Sequence, residues 1–529
     1  MSLKIKVIVS DPISDEGLDI FKQNNIEIID AMDIEIDENY EHIESANGWV
    51  IRSGTTLDAN IIKKADSLSV IGRAGVGIDN VDISAATRKG VVVMNTPDAN
   101  TISAAEHTLA LLLSLSRNVS IGHHSLLGGN WDRHKFVGSE IKNKTLGIVG
   151  LGKIGREVMH RAQGFGMKII GYDPFIKEDM FRSDEIKLLE LDELVENSDF
   201  ITVHIPLTKN TENLFDYKML SKMKKEARII NVARGGIINE EDLAKALEEK
   251  IIAGAAIDVF RNEPILKNNP LLKSPNLILT PHLGGSTKEA KAGVSTTICR
   301  QIKNYLVNQE LENAVNFPLQ NPSDLKSLSP FLGLAGNLGS VHSQISDGPI
   351  KKVSINCFGE FDQIKPIVLS FLKNLLEERV PDRVNFINAE TIAKELGIEV
   401  SMNYSTLDSN YANLISTEVI SAENISIDGS VFDDNFPRLV NLMGYKMEVN
   451  LSNTLLIIKN DDVPGVIGKV GTLLGQKNIN IGAYLLSQGN NDKLALGVIR
   501  LDSPIKIAII DLLKDIEEIK YVKQIGINT

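Results

Sequence analysis

The sequence predicts an α/β protein built largely on parallel sheets, and three observations carry that expectation. Residues 1–97 alternate short β-rich runs with amphipathic stretches, the pattern of parallel strands joined by crossover helices. A second series of the same kind opens at residue 144 on a strand, a glycine turn and a helix. Residues 453–529 read strand, helix, strand, strand, helix, strand, which is a ferredoxin-like order.

In the first series "IKVIVSD", "GWVIRS", "LSVIGRAG" and "VVVMNTP" are strands. "SDEGLDIFKQN" and "LDANIIKKA" are helices with Ser or Asp near their starts. Residues 103–119 are apolar nearly all round, so they belong in a core or an interface. The second series runs "TLGIV", "MKIIGYD", "DFITVHIP", "ARIINVARGG", "IAGAAIDVF" and "NLILTPH". A long helix over 288–308 either closes this unit or returns to the first. Three prolines in residues 316–330 mark a boundary, and 330–452 mix helical and strand patterns without a chemical motif.

A chain of 529 residues exceeds one core, and its length suggests roughly three to four domains. The net charge of −13 argues against nucleic-acid and anionic-membrane partners, which need a basic face. Cys299 and Cys357 form no CxxC pair, so neither disulfides nor a metal site are expected, and the compartment is reducing. The apolar run at the start is too short for a signal peptide, and "HTLALLLSLS" is too short to span a bilayer. A cytoplasmic protein is expected.

"GLGKIG" at 150–155 follows a strand and precedes a helix, and Asp173 ends the next strand eighteen residues beyond Gly155. That is the dinucleotide-binding arrangement. Gly150 makes the tight turn, Gly152 lets a pyrophosphate approach the backbone, and Gly155 permits close helix–strand contact. Asp173 would bind ribose hydroxyls and repel a 2′-phosphate, favouring NAD over NADP. Arg234, Glu263 and His282 then lie at the ends of successive strands of the same series. Ligands of open α/β sheets bind at such ends, so the three can meet in one crevice. An arginine grips a carboxylate, a histidine moves a proton and a glutamate orients the histidine. With NAD, this set suits oxidation of a small 2-hydroxy acid.

"NVARGGIINEEDLAKAL", "AAIDVFRNEP", "TPHLGGSTKEA" and "GLGKIGREVMHRAQGFGM" resemble the D-isomer-specific 2-hydroxyacid dehydrogenase family over about residues 4–315. "GRAGVGIDNVD" and "NDDVPGVIGKVG" extend the resemblance to its long-form members, and so to the whole chain. The resemblance implies a Rossmann-like NAD domain (99–282) inserted in a flavodoxin-like substrate domain (1–98 and 283–315). An α+β intervening domain (316–452), for which an anion site has been proposed, and an ACT-type regulatory domain (453–529) would follow. It assigns catalysis to Arg234, Glu263 and His282, and places Asp258 near the nicotinamide. Lys153, Ile154, Ile205, Val232, Ala233, Gly284 and Gly285 complete the cofactor set it implies. Residues 103–131 would form a dimer interface, in a homodimer or homotetramer.

The implied reaction is oxidation of 3-phospho-D-glycerate to 3-phosphohydroxypyruvate, the entry to serine synthesis. Arg52, with Ser53, Asn100 and the Gly75 backbone, would take the phosphate. Arg73 ends a strand facing the same cleft, and Arg133 and Lys135 lie in a stretch that lends a cation to the neighbouring subunit. Val76 stands where a polar residue is frequent, and Gly54 where a second basic residue sometimes occurs. Asn460, Asp462 and Asn480 are the candidate contacts for an L-serine effector, Asn460 replacing a frequent His or Tyr. Two alternatives remain open: reduction of an unphosphorylated 2-oxo acid (hydroxypyruvate, glyoxylate or 2-oxoglutarate), and an NAD-sensing regulatory scaffold on the same fold.

Overall fold

A computed structural model of the chain describes residues 4–32, 40–176, 181, 186–317, 324–361, 363–406, 411–433, 435–489 and 493–527. Runs of valine and isoleucine near the N-terminus form strands that are buried on both faces. Val7 and Val9 enter one core, while Ile8 between them enters another. Five such strands make a parallel sheet in the pairing order Glu27–Asp30, Lys6–Val9, Gly48–Ile51, Val70–Arg73, Val92–Met94. Its helices begin on side-chain caps: Asp58 accepts from the Ile61 amide and Asp82 from the Ala85 amide.

The second sheet has seven parallel strands. Its pairing order is Leu277–Leu279, Gly254–Ile257, Arg228–Asn231, Phe200–Val203, Thr145–Val149, Lys168–Tyr172, Lys187–Leu188. The connection reverses direction between Thr145–Val149 and Phe200–Val203, so a Rossmann-like crevice opens at their carboxyl ends.

Helix Lys288–Asn308 resolves the two options for the chain after His282, because it returns to the first sheet. Ile298 and Ile302 lie so close over Gly72 that an added Cβ there would collide with both. The chain follows it back: the Val315 amide donates to the Val93 carbonyl at 2.7 Å. Residues 318–323 of the expected boundary fall outside the described residues. Its last part, 324–330, begins helix Asp324–Ile345, with Pro330 inside it.

Of the two places open to the apolar 103–119 segment, residues 109–116 take the core. Leu109, Leu111, Leu112 and Leu115 of helix Thr101–Arg117 are buried within the chain, against the second sheet and helix Lys153–Gly164. The apolar residues left facing solvent come just after it: Val119, Leu126, Leu127, Trp131 (81% exposed) and Val137.

A third sheet of six strands pairs in the order Glu399–Ser405, Lys352–Gly359, Asn413–Ile420, Asn424–Phe432, Phe436–Leu442, Tyr445–Val449. The fourth is antiparallel, in the order Ile481–Gln488, Leu494–Leu501, Asn453–Asp461, Ile519–Ile527. One face of the fourth sheet is covered by its own helices, Val466–Gln476 and Ile507–Lys514. The other face sends Leu455, Ile457, Leu496, Val498, Ile525 and Ile527 into the core that holds Leu334, Val341 and Phe371 of the third unit. No helix among the described residues is long and apolar enough to cross a membrane.

A continuous core makes the last two units melt together. Phe371→Ala and Leu455→Ala each remove a fully buried side chain, at a cost of about 2–5 kcal/mol. Scanning calorimetry should show both substitutions lowering the same transition. Two transitions that respond separately would contradict the shared core.

Candidate active site

The glycine turn after Thr145–Val149 is built as the motif requires. Gly150 has φ +97°, and an added Cβ at Gly155 would collide with the Gly150 carbonyl oxygen. An added Cβ at Gly152 meets nothing within 4 Å, so the approach to the start of helix Lys153–Gly164 is open. No side chain caps that helix, which leaves its first N–H groups and positive end for an anion. A pyrophosphate fits such a cradle.

Asp173 stands at the end of Lys168–Tyr172 and holds the turn, accepting from the Leu151 amide at 2.9 Å and the Phe175 amide at 3.0 Å. Lys153 forms an ion pair with Asp98, so it ties the turn to the first unit rather than standing free. Ile154 packs on the core below, Ile205 lies beside Gly150, and Val232 borders Gly284. His204, at the end of Phe200–Val203, is pushed down to about 4 by burial and therefore stays neutral.

The catalytic triplet converges. His282 Nδ1 lies 2.6 Å from Glu263 Oε2, and Glu263 Oε1 accepts from the Phe260 amide at 2.9 Å. Burial alone would raise the Glu263 carboxyl, but the bonds from His282 and Phe260 outweigh it and hold it below the ordinary range. The carboxylate keeps Nδ1 as the donor, so Nε2 is the atom free to take a proton. His282 itself has φ +53°, a left-handed conformation that a non-glycine residue adopts only under external constraint.

That constraint is Asp258. Expected near the nicotinamide, it is fully buried, and its carboxylate is bonded within the protein. Its oxygens accept from the Leu283 and Gly284 amides, both at 2.8 Å, and from Thr280 Oγ1, and His107 Nε2 lies 3.2 Å away. Burial would raise its carboxyl, yet these donors, His107 first, hold it low. Asp258 thus positions the turn that carries His282.

Arg234 leaves the second sheet on a turn that Asn231 clamps. The Asn231 amide donates to the Arg234 carbonyl, and its oxygen accepts from the Ala233 amide. Arg234 Nε donates to Asp79 across the cleft at 3.2 Å. From the first sheet come Arg52 and Arg73. Gly75, at φ +151°, is needed because an added Cβ would collide with the Arg73 guanidinium. Burial, helped by the nearby Arg234 and Arg52 charges, lowers Arg73 to about 10, so at neutral pH it remains charged.

Two adjoining cavities, of about 490 and 390 Å³, share Arg73, Asn100, Glu263 and His282. The larger adds Arg52, Ser53, Gly75 and Gly285, and the smaller adds Arg234 and Val76. The cleft therefore joins the guanidiniums of Arg52, Arg73, Arg234 and Arg261 to an oriented imidazole, a site for a small polyanionic acid. Asp11, Asp79, His107, Asn231 and Lys291 were not singled out from the sequence. Their only signal was a position beside a strand end or on a helix whose packing the sequence left open.

Arg133 and Lys135 do not reach this cleft. They sit on an exposed turn, with Lys135 paired to Asp132, and Lys135 borders a cavity at the opposite, amino-terminal edge of the second sheet. Asn460, Asp462 and Asn480 do not meet within one chain either. Asn460 is a buried strand residue and Asp462 is bonded to Gln488, while Asn480 binds Asp502 at the other end of the sheet.

Residues 109–284 match the family described as "D-isomer specific 2-hydroxyacid dehydrogenase, NAD binding domain". Residues 327–443 match the "D-3-phosphoglycerate dehydrogenase intervening domain". The chain is similar to D-3-phosphoglycerate dehydrogenase of Methanocaldococcus jannaschii, 39% identical over 99% of this chain and 100% of that protein. It is similar to the Bacillus subtilis protein of the same name, at 36% over 99% of each. Among solved structures, a glyoxylate reductase from Paecilomyes thermophila superimposes with a TM-score of 0.56 at 27% identity, covering 61% of this chain and 100% of that one.

The low Asp258 carboxyl fixes the sign of its pH effect. Its stabilisation is complete above the unfolded value of about 3.9 and is lost as pH falls through the lower folded value. Asp258→Asn is expected to cut turnover at least about tenfold, because a displaced His282 misses its geometry. It should also flatten the fall in melting temperature at acid pH. Turnover within twofold of the parent would reject this role.

Proposed function

The chain belongs to the D-3-phosphoglycerate dehydrogenase family, and from that membership we propose how its cleft oxidises 3-phospho-D-glycerate to 3-phosphohydroxypyruvate. It is an NAD-dependent 2-hydroxyacid dehydrogenase. The observation that carries the reading is the 2.6 Å His282–Glu263 pair facing Arg52, Arg73 and Arg234 in an otherwise acidic chain.

Gly150, Gly152, Gly155 and the first N–H groups of helix Lys153–Gly164 would hold the pyrophosphate, with Asp173 on the ribose. NAD, when bound, supplies the acceptor for the hydride leaving C2. Arg234 binds the C1 carboxylate and polarises the C2 oxygen. His282 Nε2 removes the hydroxyl proton as the C2–O double bond forms, and Glu263 stabilises the resulting imidazolium. Arg52 and Arg73 take the phosphate, aided by Ser53, Asn100 and the Gly75 amide.

The first unit is read as flavodoxin-like and the last as an ACT-type regulatory domain that binds L-serine. Since Asn480 lies far from Asp462 in one chain, such a site would be shared between two copies. The exposed Val119, Leu126, Leu127, Trp131 and Val137 support a homodimer or homotetramer in which Arg133 serves a neighbour's cleft. Two buried thiols, pushed up to about 12 by burial, suit a cytoplasmic setting.

The direct test is NADH-dependent reduction of 3-phosphohydroxypyruvate beside hydroxypyruvate and 2-oxoglutarate, each with and without L-serine. A strong preference for the phosphorylated acid, reduced by serine, is expected. Equal turnover of the unphosphorylated acids would discard the substrate. His282→Ala should lower kcat by about 10²–10⁴-fold, the range for losing a general base; near-normal turnover would sink the assignment. Asp173→Ala should raise the KM for NAD and narrow the preference for NAD over NADP. An unchanged preference would place cofactor selection elsewhere.

A further inference from the structure

We propose that Lys291 is a specificity-determining residue, its ammonium forming with Arg52 and Arg73 the subsite for the substrate's phosphate. This rests on the phosphorylated-acid reading above. Lys291 lies one turn into helix Lys288–Asn308, and it lines the same 490 Å³ cavity as Arg52, Arg73 and His282. It is exposed and makes no ion pair among the described residues.

Rigidity supports the assignment. The helix is capped by Thr287, which accepts from the Ala290 amide, and is seated on the first sheet through Ile298 and Ile302. Arg52 and Arg73 end strands of that same sheet, so the three cations share one frame.

Charge supports it as well. A phosphate monoester carries roughly −1.5 to −2 at pH 7. The acidic group in this cavity wall besides Glu263 is Asp11, whose Oδ2 accepts from the Arg52 and Thr55 amides. Glu263 is engaged with His282. Arg52, Arg73 and Asp11 together amount to a single positive charge, and Lys291 brings the subsite to two, matching the dianion. Gly54 cannot supply that charge. An added Cβ there would meet Asp11 Oδ1, and within this chain Lys291 is the further cation in the cavity wall.

The test compares kcat/KM for 3-phosphohydroxypyruvate and hydroxypyruvate in the full-length parent, Lys291→Gln and Lys291→Arg. Inorganic phosphate is added as a competitive inhibitor. A lost charge-assisted contact predicts a roughly tenfold fall in the phosphorylated-over-unphosphorylated ratio for Lys291→Gln, and weaker phosphate inhibition. Lys291→Arg should stay within about threefold, since the charge remains. A parent that prefers the phosphorylated acid while Lys291→Gln keeps the same ratio overturns the inference and spares the substrate reading. Equal losses on both acids also overturn it, marking a general effect on the cleft. A parent with no preference for the phosphorylated acid overturns both.

Discussion

The active cleft depends on one buried carboxylate. Asp258 has no exposed surface, and it gathers the Leu283 and Gly284 amides, the Thr280 hydroxyl and the His107 ring around itself. Those bonds hold the chain through His282 in a left-handed conformation that the residue would not otherwise keep. The His282–Glu263 hydrogen bond, and with it the direction of proton transfer, follows from that constraint. A group of this kind touches no substrate, yet it sets where the reacting nitrogen stands.

The second organising feature is electrostatic. A chain with a net charge of −13 collects Arg52, Arg73, Arg234 and Lys291 along one cleft. Arg73 is held against the field of Arg52 and Arg234, in a pocket that only a glycine at position 75 leaves room for. Such like-charge crowding is unfavourable in the empty site and becomes favourable when a polyanionic substrate arrives. The positive cleft in a negative molecule also directs an acidic metabolite inward.

The two halves of the chain are also joined physically. The fourth sheet shares its core with the third unit. That unit in turn meets the first through Arg88, paired with Asp382 and Glu395, and through Asn385 and Asn388, which donate to carbonyls of residues 88 and 90. The last sheet is thus joined by continuous packed contacts, through the third unit, to the unit that carries Arg52 and Arg73.

Much of this was legible in the sequence, for local reasons. "GLGKIG" needs only its neighbours to make a turn and a helix start, and periodicity alone marked the alternating strands. Arg234, Glu263 and His282 could be found because each closes a strand, and strand ends share one edge of a parallel sheet. Other features were decided only by tertiary structure. The long helix after His282 could pack on either unit until Gly72 left room for Ile298 and Ile302. The apolar 109–116 segment could line an interface or a core until the second sheet covered it. Lys291 had no motif of its own, and the motif "AAIDVFRNEP" that contains Asp258 did not show which groups its carboxylate would gather. Charge, hydrogen-bonding capacity and apolarity are written residue by residue, but which partner satisfies them depends on contacts between segments hundreds of residues apart, which only the folded chain brings together.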